Sequence, residues 1–231
     1  MFRKTFSFVA VFAVALAVAL AIGYHFLKSE PSRVTNNFEL AFAASAQSAY
    51  VEAADSMPIE EMVIGDPDAP LTVIEYASFT CSHCASFHES TYGDLKRNYI
   101  DTGKIKFVFR EIYFDKYGIW ASMIARCAGP EKFFGLTDML LSSQRTWARA
   151  GDDLAIVQEL SKVARLAGME EDQVQSCLRD EDKIKALVAW YKGNATADGV
   201  RSTPSFMIDG QLYSNMDYDE FSKLLDEKLG S

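Results

Sequence analysis

The sequence predicts an α/β domain interrupted by a block of helices. A strand pattern, a helix pattern and a second strand pattern follow one another over 71–110. No strand pattern occurs over about 113–199, and it then returns at Ser205. The composition suits one folded domain with a large insertion: of 231 residues, 49% are hydrophobic and 13% aromatic, with six Pro and thirteen Gly, which excludes disordered and collagen-like classes.

The first segment is of a different kind. Arg3 and Lys4 precede residues 5–27, which carry no formal charge when His25 is neutral. The run is long enough for a spanning helix, yet the small-residue sites Ala19-Leu20-Ala21 and Ala21-Ile22-Gly23 also suit a signal peptidase. Residues 1–27 are therefore expected to be a signal peptide or a signal anchor, and both readings stand. The positive charges at the extreme N-terminus leave the bulk of the chain on the outer side of the membrane, where disulfides persist. Residues 28–57, rich in Ala, Ser, Asn and Glu without a sustained apolar period, read as a linker.

The folded part is expected over 58–231. Leu71-Thr72-Val73-Ile74-Glu75-Tyr76 is β-branched and mostly apolar, as a buried strand should be, and Ile105-Lys106-Phe107-Val108-Phe109-Arg110 is its counterpart. The intervening 81–100 reads as a helix closed by Asp101-Thr102-Gly103, which completes a parallel βαβ unit. Helices are expected at 119–128, 130–142, 152–167, 170–178 and 182–197, with Pro130 and the pair Asp152-Asp153 as helix starts. Strands follow at 205–208 and 211–213 around an Asp209-Gly210 turn, and an amphipathic helix at 217–229 ends the chain. Trp120, Trp147 and Trp190 read as core of the helical block rather than as a ligand cage.

Charge excludes one class of function. With 23 Lys+Arg against 32 Asp+Glu, the formal net charge is -9, so there is no basic footprint for nucleic acid.

The chemistry lies in Cys81-Ser82-His83-Cys84, at the junction of the first strand and its helix. Cysteines at i and i+3 on a first helical turn can close a small disulfide. The unpaired N–H groups and positive end of the helix favour a thiolate at Cys81, and His83 adds a donor or a positive charge. Cys81 is then nucleophile and leaving group, and Cys84 the resolving thiol. Stabilising the thiolate stabilises the reduced form, which makes the disulfide a stronger oxidant of other proteins. A structural zinc half-site with His83 or His88 is the competing reading; it lacks a second C-x-x-C or H-x-x-H pair.

These residues resemble a known family. Val73-Ile74-Glu75-Tyr76-Ala77-Ser78-Phe79-Thr80-Cys81-Ser82-His83-Cys84, with Arg201-Ser202-Thr203-Pro204-Ser205-Phe206, is similar to the DsbA-type thiol:disulfide oxidoreductases of the bacterial periplasm, whose thioredoxin-like fold carries an inserted helical domain. The resemblance covers about 58–231. It implies that Pro204 is cis and lies beside Cys81, that Thr203 offers backbone groups to a bound substrate strand, and that Glu75 is a buried acid beneath the dithiol. The chain departs from the family at Ser82, where proline is commonest, and at Thr203, where valine is familiar; both positions tune redox poise and substrate release.

Cys127 and Cys177 lie 50 positions apart on two expected helices of the insertion. In an oxidising compartment a structural disulfide is favoured, with two buried free thiols as the alternative. Members of the family resembling this chain carry such a second pair.

The sequence thus points to an exported oxidoreductase that needs no cofactor. It would pass its Cys81-Cys84 disulfide to unfolded, newly exported proteins with free cysteines. The resemblance implies reoxidation by a quinone-coupled membrane partner, with the protein in the periplasm, soluble or tethered by residues 5–27. The alternatives are a disulfide isomerase or reductase of the same fold, and a metal-binding or metallochaperone module using the same dithiol.

Overall fold

The computed structural model describes residues 57–230. The expected signal or anchor and the linker up to Asp55 and Ser56 lie outside the described residues. Among the described residues no helix is long and apolar enough to cross a membrane.

In chain order the elements are β1 (Met62–Gly65), β2 (Leu71–Ala77), a long helix α1 (82–100), β3 (Ile105–Glu111), α2 (Lys116–Cys127), α3 (Pro130–Ser142), α4 (Gln144–Trp147), α5 (Asp153–Leu166), α6 (Glu171–Leu178), α7 (Glu181–Ala197), β4 (Ser205–Ile208), β5 (Gln211–Ser214) and α8 (Tyr218–Leu229). The sheet order is β1-β3-β2-β4-β5. β2 and β3 run parallel from Leu71 opposite Ile105 to Ala77 opposite Glu111, as the βαβ reading requires. β4 pairs antiparallel with β2, and β5 antiparallel with β4 through the turn Asp209-Gly210, whose residues both have positive φ, 51° and 72°.

β2 is central and covered on both faces, which is why its sequence is nearly continuously apolar. One face carries Val73, Phe107, Phe206 and Ile208 against Phe87, Leu95 and Tyr99 of α1 and Phe221 and Leu225 of α8. The other core joins Ala77, Phe79 and Phe109 to Phe133, Leu136, Trp147, Leu160 and Val174 of the helical block. Trp147 is fully buried with its indole N–H donating to the Leu140 carbonyl at 2.7 Å, whereas Trp120 and Trp190 are half-buried.

Three differences from the sequence expectation have local causes. β1 is a four-residue edge strand, antiparallel to β3, with one side chain buried, and its apolar run Met62-Val63-Ile64 is too short to show a strand period. α2 begins at Lys116 rather than Ile119, because the Asp115 carboxylate accepts the Gly118 N–H at 2.9 Å and so starts the helix ahead of the glycine. α4 is a single extra turn between Ser143 and Ala148.

The helical block is fastened to the sheet by a buried ion pair. Arg126 of α2 donates twice to Glu111 of β3, at 2.6 Å each, and a third time to the Glu60 carbonyl at 2.8 Å; Ser122 adds a donor to Glu111 at 3.0 Å. Both side chains are essentially inaccessible to solvent, so each charge depends on the other being present.

Cys127 at the end of α2 and Cys177 in α6 are joined by a disulfide with 6.2 Å between their Cα atoms. Replacing both by alanine is expected to lower stability by about 4 kcal/mol, from the entropy of the 50-residue loop. Denaturant unfolding of the oxidised double variant measures this, and an unchanged midpoint would show that α2 and α6 are held by packing alone.

Candidate functional site

The site forms where β2 hands the chain to α1. The turn is closed by the Cys81 N–H donating to the Ser78 carbonyl at 3.1 Å, and Cys81 is the N-cap of α1 with extended backbone. At that position the first N–H groups of the helix have no partner in the helix itself. Thr80, just before the cysteine, donates through its hydroxyl to Asp115 at 2.8 Å, the same carboxylate that caps α2.

A second clamp comes from the helical block. Gln144, buried at the start of α4, donates through one side-chain nitrogen to the carbonyls of Phe79 at 2.7 Å and Cys81 at 2.9 Å. The backbone on both sides of Thr80 is thereby tied to the insertion. Nothing in the sequence around Gln144 marks it; it precedes a single helical turn whose fold position was not legible.

The two thiols are free and differently placed: Cys81 is half-buried and Cys84 fully buried. The Cys81 thiol donates to the Thr203 carbonyl at 3.4 Å, and the Thr203-Pro204 peptide bond is cis. A hydrogen bond from the Cys84 thiol, together with the Thr203 hydroxyl and the backbone N–H groups of Cys84 and His83, outweighs partial burial and brings the Cys81 thiol down to about 5. The Thr203 hydroxyl is buried and has no other partner among the described residues. Burial pushes Cys84 far above the ordinary thiol range, and the neighbouring Cys81 and the Glu75 charge act in the same direction. The His83 side chain is exposed; its backbone N–H, rather than its imidazole, is the group directed at the Cys81 sulfur.

Below the dithiol, Glu75 of β2 is fully buried and one of its oxygens lies 3.1 Å from Nε2 of His88. His88 sits four residues beyond Cys84, so the two share the inner face of α1, and it opens a π-helical turn over His88–Tyr92. Tyr92 stacks on the imidazole with ring centroids 4.5 Å apart. On its other side, Nδ1 of His88 lies 3.7 Å from the carboxylate of Asp138 in α3, a side chain that is 58% exposed. Burial alone would lower the His88 pKa, but the Glu75 charge and the interactions with Asp138 push it up to about 9. His88 entered the sequence reading only as a zinc ligand. Its distance of one helical turn from Cys84, opposite an acid in the central strand, is the signal that could have paired it with Glu75. Among the described residues no three His, Cys, Asp or Glu side chains are grouped so as to hold a metal ion.

The arrangement brings Cys81, Cys84, Thr203, Pro204 and Glu75 into one place, with His83 at the rim. It leaves Cys127 and Cys177 bonded to each other in the helical block.

Comparisons with known proteins agree in kind. A family model described as Thioredoxin matches residues 58–227. The chain is 32% identical over 170 residues, 73% of its length, to a putative protein-disulfide oxidoreductase of Rickettsia prowazekii, and covers 61% of that protein. It thus spans about three-fifths of the length of the Rickettsia relatives it matches. Among solved structures, Wolbachia pipientis α-DsbA1 superimposes with a TM-score of 0.67 at 28% identity, covering 77% of this chain and 96% of that one. A protein-disulfide isomerase from Novosphingobium aromaticivorans superimposes with a TM-score of 0.64 at 25% identity, covering 74% and 98%.

The Gln144 clamp makes a direct prediction. Gln144→Ala removes the donor to two carbonyls, one of them buried, and should cost about 1–3 kcal/mol. Gln144→Glu, which sets an acceptor against the same carbonyls, should cost more. Denaturant midpoints of the reduced proteins test the order; equal stability of wild type and both variants would mean that the clamp contributes nothing.

Proposed function

We propose that this chain, which belongs to the thioredoxin family in its DsbA-type form, is a protein-disulfide oxidoreductase that acts as an oxidase, donating the Cys81-Cys84 disulfide to newly exported proteins. The observation that carries this reading is the opposition of the two thiols: one held near pH 5 at a helix N-cap, the other buried and protonated.

The steps follow from that opposition. A substrate thiolate attacks Sγ of Cys81, the Cys81–Cys84 bond breaks, and Cys84 leaves with the electron pair and takes up a proton. The substrate is then joined to Cys81. Its second thiolate attacks its own sulfur in this mixed disulfide, and Cys81 departs as a thiolate. Two electrons have passed to the dithiol, and the substrate carries a new disulfide. A leaving thiol of low pKa favours both release and the reduced form, so the couple is oxidising.

Cys81, Cys84, His83, Thr203, Pro204 and Glu75 are the residues we assign to this chemistry. Thr203 would offer its backbone to an extended substrate segment, Pro204 would close the neighbouring edge because it has no N–H to donate, and His83 would meet the substrate at the rim. Glu75, a buried carboxylate whose charge is felt at Cys84, is the group best placed to pass on to Cys84 a proton that it first accepts. Cys127–Cys177 would be a structural bond without a part in turnover.

The reading extends to the whole chain. Residues 1–27 would direct it across the membrane as a cleaved signal or a retained anchor, 28–57 would be the linker and 58–231 the catalytic domain, with the helical insertion over about 113–199. The protein would act in the periplasm on proteins with free cysteines, and a quinone-coupled membrane oxidase would restore its disulfide. It requires no cofactor of its own.

Two measurements test this. In reduced protein, iodoacetamide should label Cys81 with a midpoint near pH 5 and leave Cys84 unreactive. His83→Ala keeps the backbone N–H that faces the sulfur and should leave that midpoint where it is. A midpoint near 9 would remove the basis for an oxidase. Linkage gives the second measurement: a thiol lowered from 9 to about 5 on folding stabilises the reduced protein, fully above pH 9, and the contribution is lost as pH falls through 5. The stability advantage of reduced over oxidised protein should therefore shrink steadily from pH 9 to pH 5, as followed by denaturant unfolding of both forms. A constant difference would contradict the thiolate assignment.

A further inference from the structure

We infer that His88 and Asp138 form a proton path linking Glu75, under the buried Cys84 thiol, with solvent. The inference rests on the oxidoreductase reading and adds the route by which the buried acid is recharged.

The need for a route follows from burial. Cys84 is fully enclosed and Glu75 is fully enclosed, so neither exchanges protons with water directly. When the Cys81–Cys84 bond breaks, the electron pair goes to the Cys84 sulfur, and one proton must reach it. If Glu75, ionised beside His88, hands that proton on, it must first receive it from solvent. In reoxidation the flow reverses, and the proton that Glu75 takes from Cys84 must leave by the same way.

The groups around Glu75 offer one chain outward. One oxygen of Glu75 faces Nε2 of His88 at 3.1 Å, while the other has no hydrogen-bond partner among the described residues. The opposite ring nitrogen of His88 is also buried without a hydrogen bond, and its nearest carboxylate is Asp138 at 3.7 Å, whose side chain reaches solvent. The imidazole thus has one nitrogen toward the buried acid and the other toward an exposed one, so that a proton accepted on one side can leave from the other. The titratable groups facing it are Glu75 from β2, Asp138 from α3 and Tyr92 from α1, and the remaining walls are the rings of Phe87 and Phe109. An imidazole kept only to fill space would not require a carboxylate at each nitrogen.

His88 and Asp138 act through Glu75, so they are positioning and relay groups, and the test must read proton delivery rather than structure. The experiment uses the oxidised full-length protein mixed with dithiothreitol from pH 5 to pH 9, with acid quenching and mass spectrometry counting free thiols. Wild type, His88→Gln, His88→Ala and Asp138→Asn are compared in H2O and D2O. Asp138 is largely exposed, so Asp138→Asn tests the path in a folded protein even if a His88 variant is unstable. The expected result is a rate about tenfold lower in His88→Gln, a smaller drop in Asp138→Asn, and a larger solvent isotope effect in both, as for a removed proton-transfer group. Free imidazole should restore part of the rate in His88→Ala and none in His88→Gln, whereas the Cys81 alkylation midpoint stays where it is in wild type. Rates within twofold of wild type at every pH in Asp138→Asn and in whichever His88 variants fold, without imidazole rescue, would overturn the path while leaving the oxidoreductase reading intact. Failure of the wild-type disulfide to react at all would instead remove that reading, and the path with it.

Discussion

The rest of the site depends on the position of Cys81 at the N-cap of α1, where the first N–H groups of the helix have no carbonyl of their own to bind. A thiolate there receives the Cys84 thiol, the Thr203 hydroxyl and the Cys84 and His83 N–H groups, and it faces the positive end of the helix. Three residues further on the same helix turns inward, and Cys84 is carried into the core beside Phe79 and Phe109. One turn of helix therefore separates a sulfur that favours charge from one that resists it. The asymmetry needs no metal and no unusual residue; it follows from placing C-x-x-C where a central strand ends and a helix begins.

Holding that asymmetry requires that the turn before Cys81 not move, and here the helical block has a use beyond its bulk. Asp115 binds Thr80 with one oxygen and starts α2 with the other. Gln144 holds the carbonyls of Phe79 and Cys81. α2 is in turn fixed to the sheet by the Arg126–Glu111 pair, and α4 to α3 by the buried Trp147, whose indole N–H donates to the Leu140 carbonyl. Because Arg126 and Glu111 are each nearly inaccessible, loss of either would strand a charge in the core, which ties the geometry at Cys81 to a pair of residues at the C-terminal ends of β3 and α2. The disulfide between α2 and α6 stiffens the same block from its far side.

Much of this was legible in the sequence, for reasons that differ between elements. The strands β2 and β3 announced themselves because burial on both faces enforces apolar runs, and Asp152 and Pro130 marked helix starts through capping chemistry. The dithiol and Thr203-Pro204 were found by their motifs, and the structure brings them within hydrogen-bonding distance across 122 positions of sequence. β1 was missed because its apolar run, Met62-Val63-Ile64, is too short to show a strand period. Gln144 and the pairing of His88 with Glu75 were missed for another reason: both depend on which long-range neighbours the fold supplies, and a polar side chain in a helix looks the same in sequence whether it meets water or a buried carbonyl. The segments before residue 57 carried a clear compositional signal, but they lie outside the described residues.

The same geometry bears on how a substrate chain would be recognised. Pairing between β4 and its neighbours begins at Ser205, which lies opposite Tyr76 on one side and Ser214 on the other. Within β4 both edges are thus already occupied, and an incoming strand has no place there. Thr203 precedes that paired stretch, and its carbonyl is the one that accepts from the Cys81 thiol in the free protein. A substrate cysteine bonded to Cys81 would displace that hydrogen bond and bring its own backbone to the groups of Thr203, while Pro204 offers no N–H that could extend the pairing inward. Contact through main-chain groups carries little sequence preference. The selectivity such a site could have would then come from its rim, where the exposed Ser82 and His83 lie.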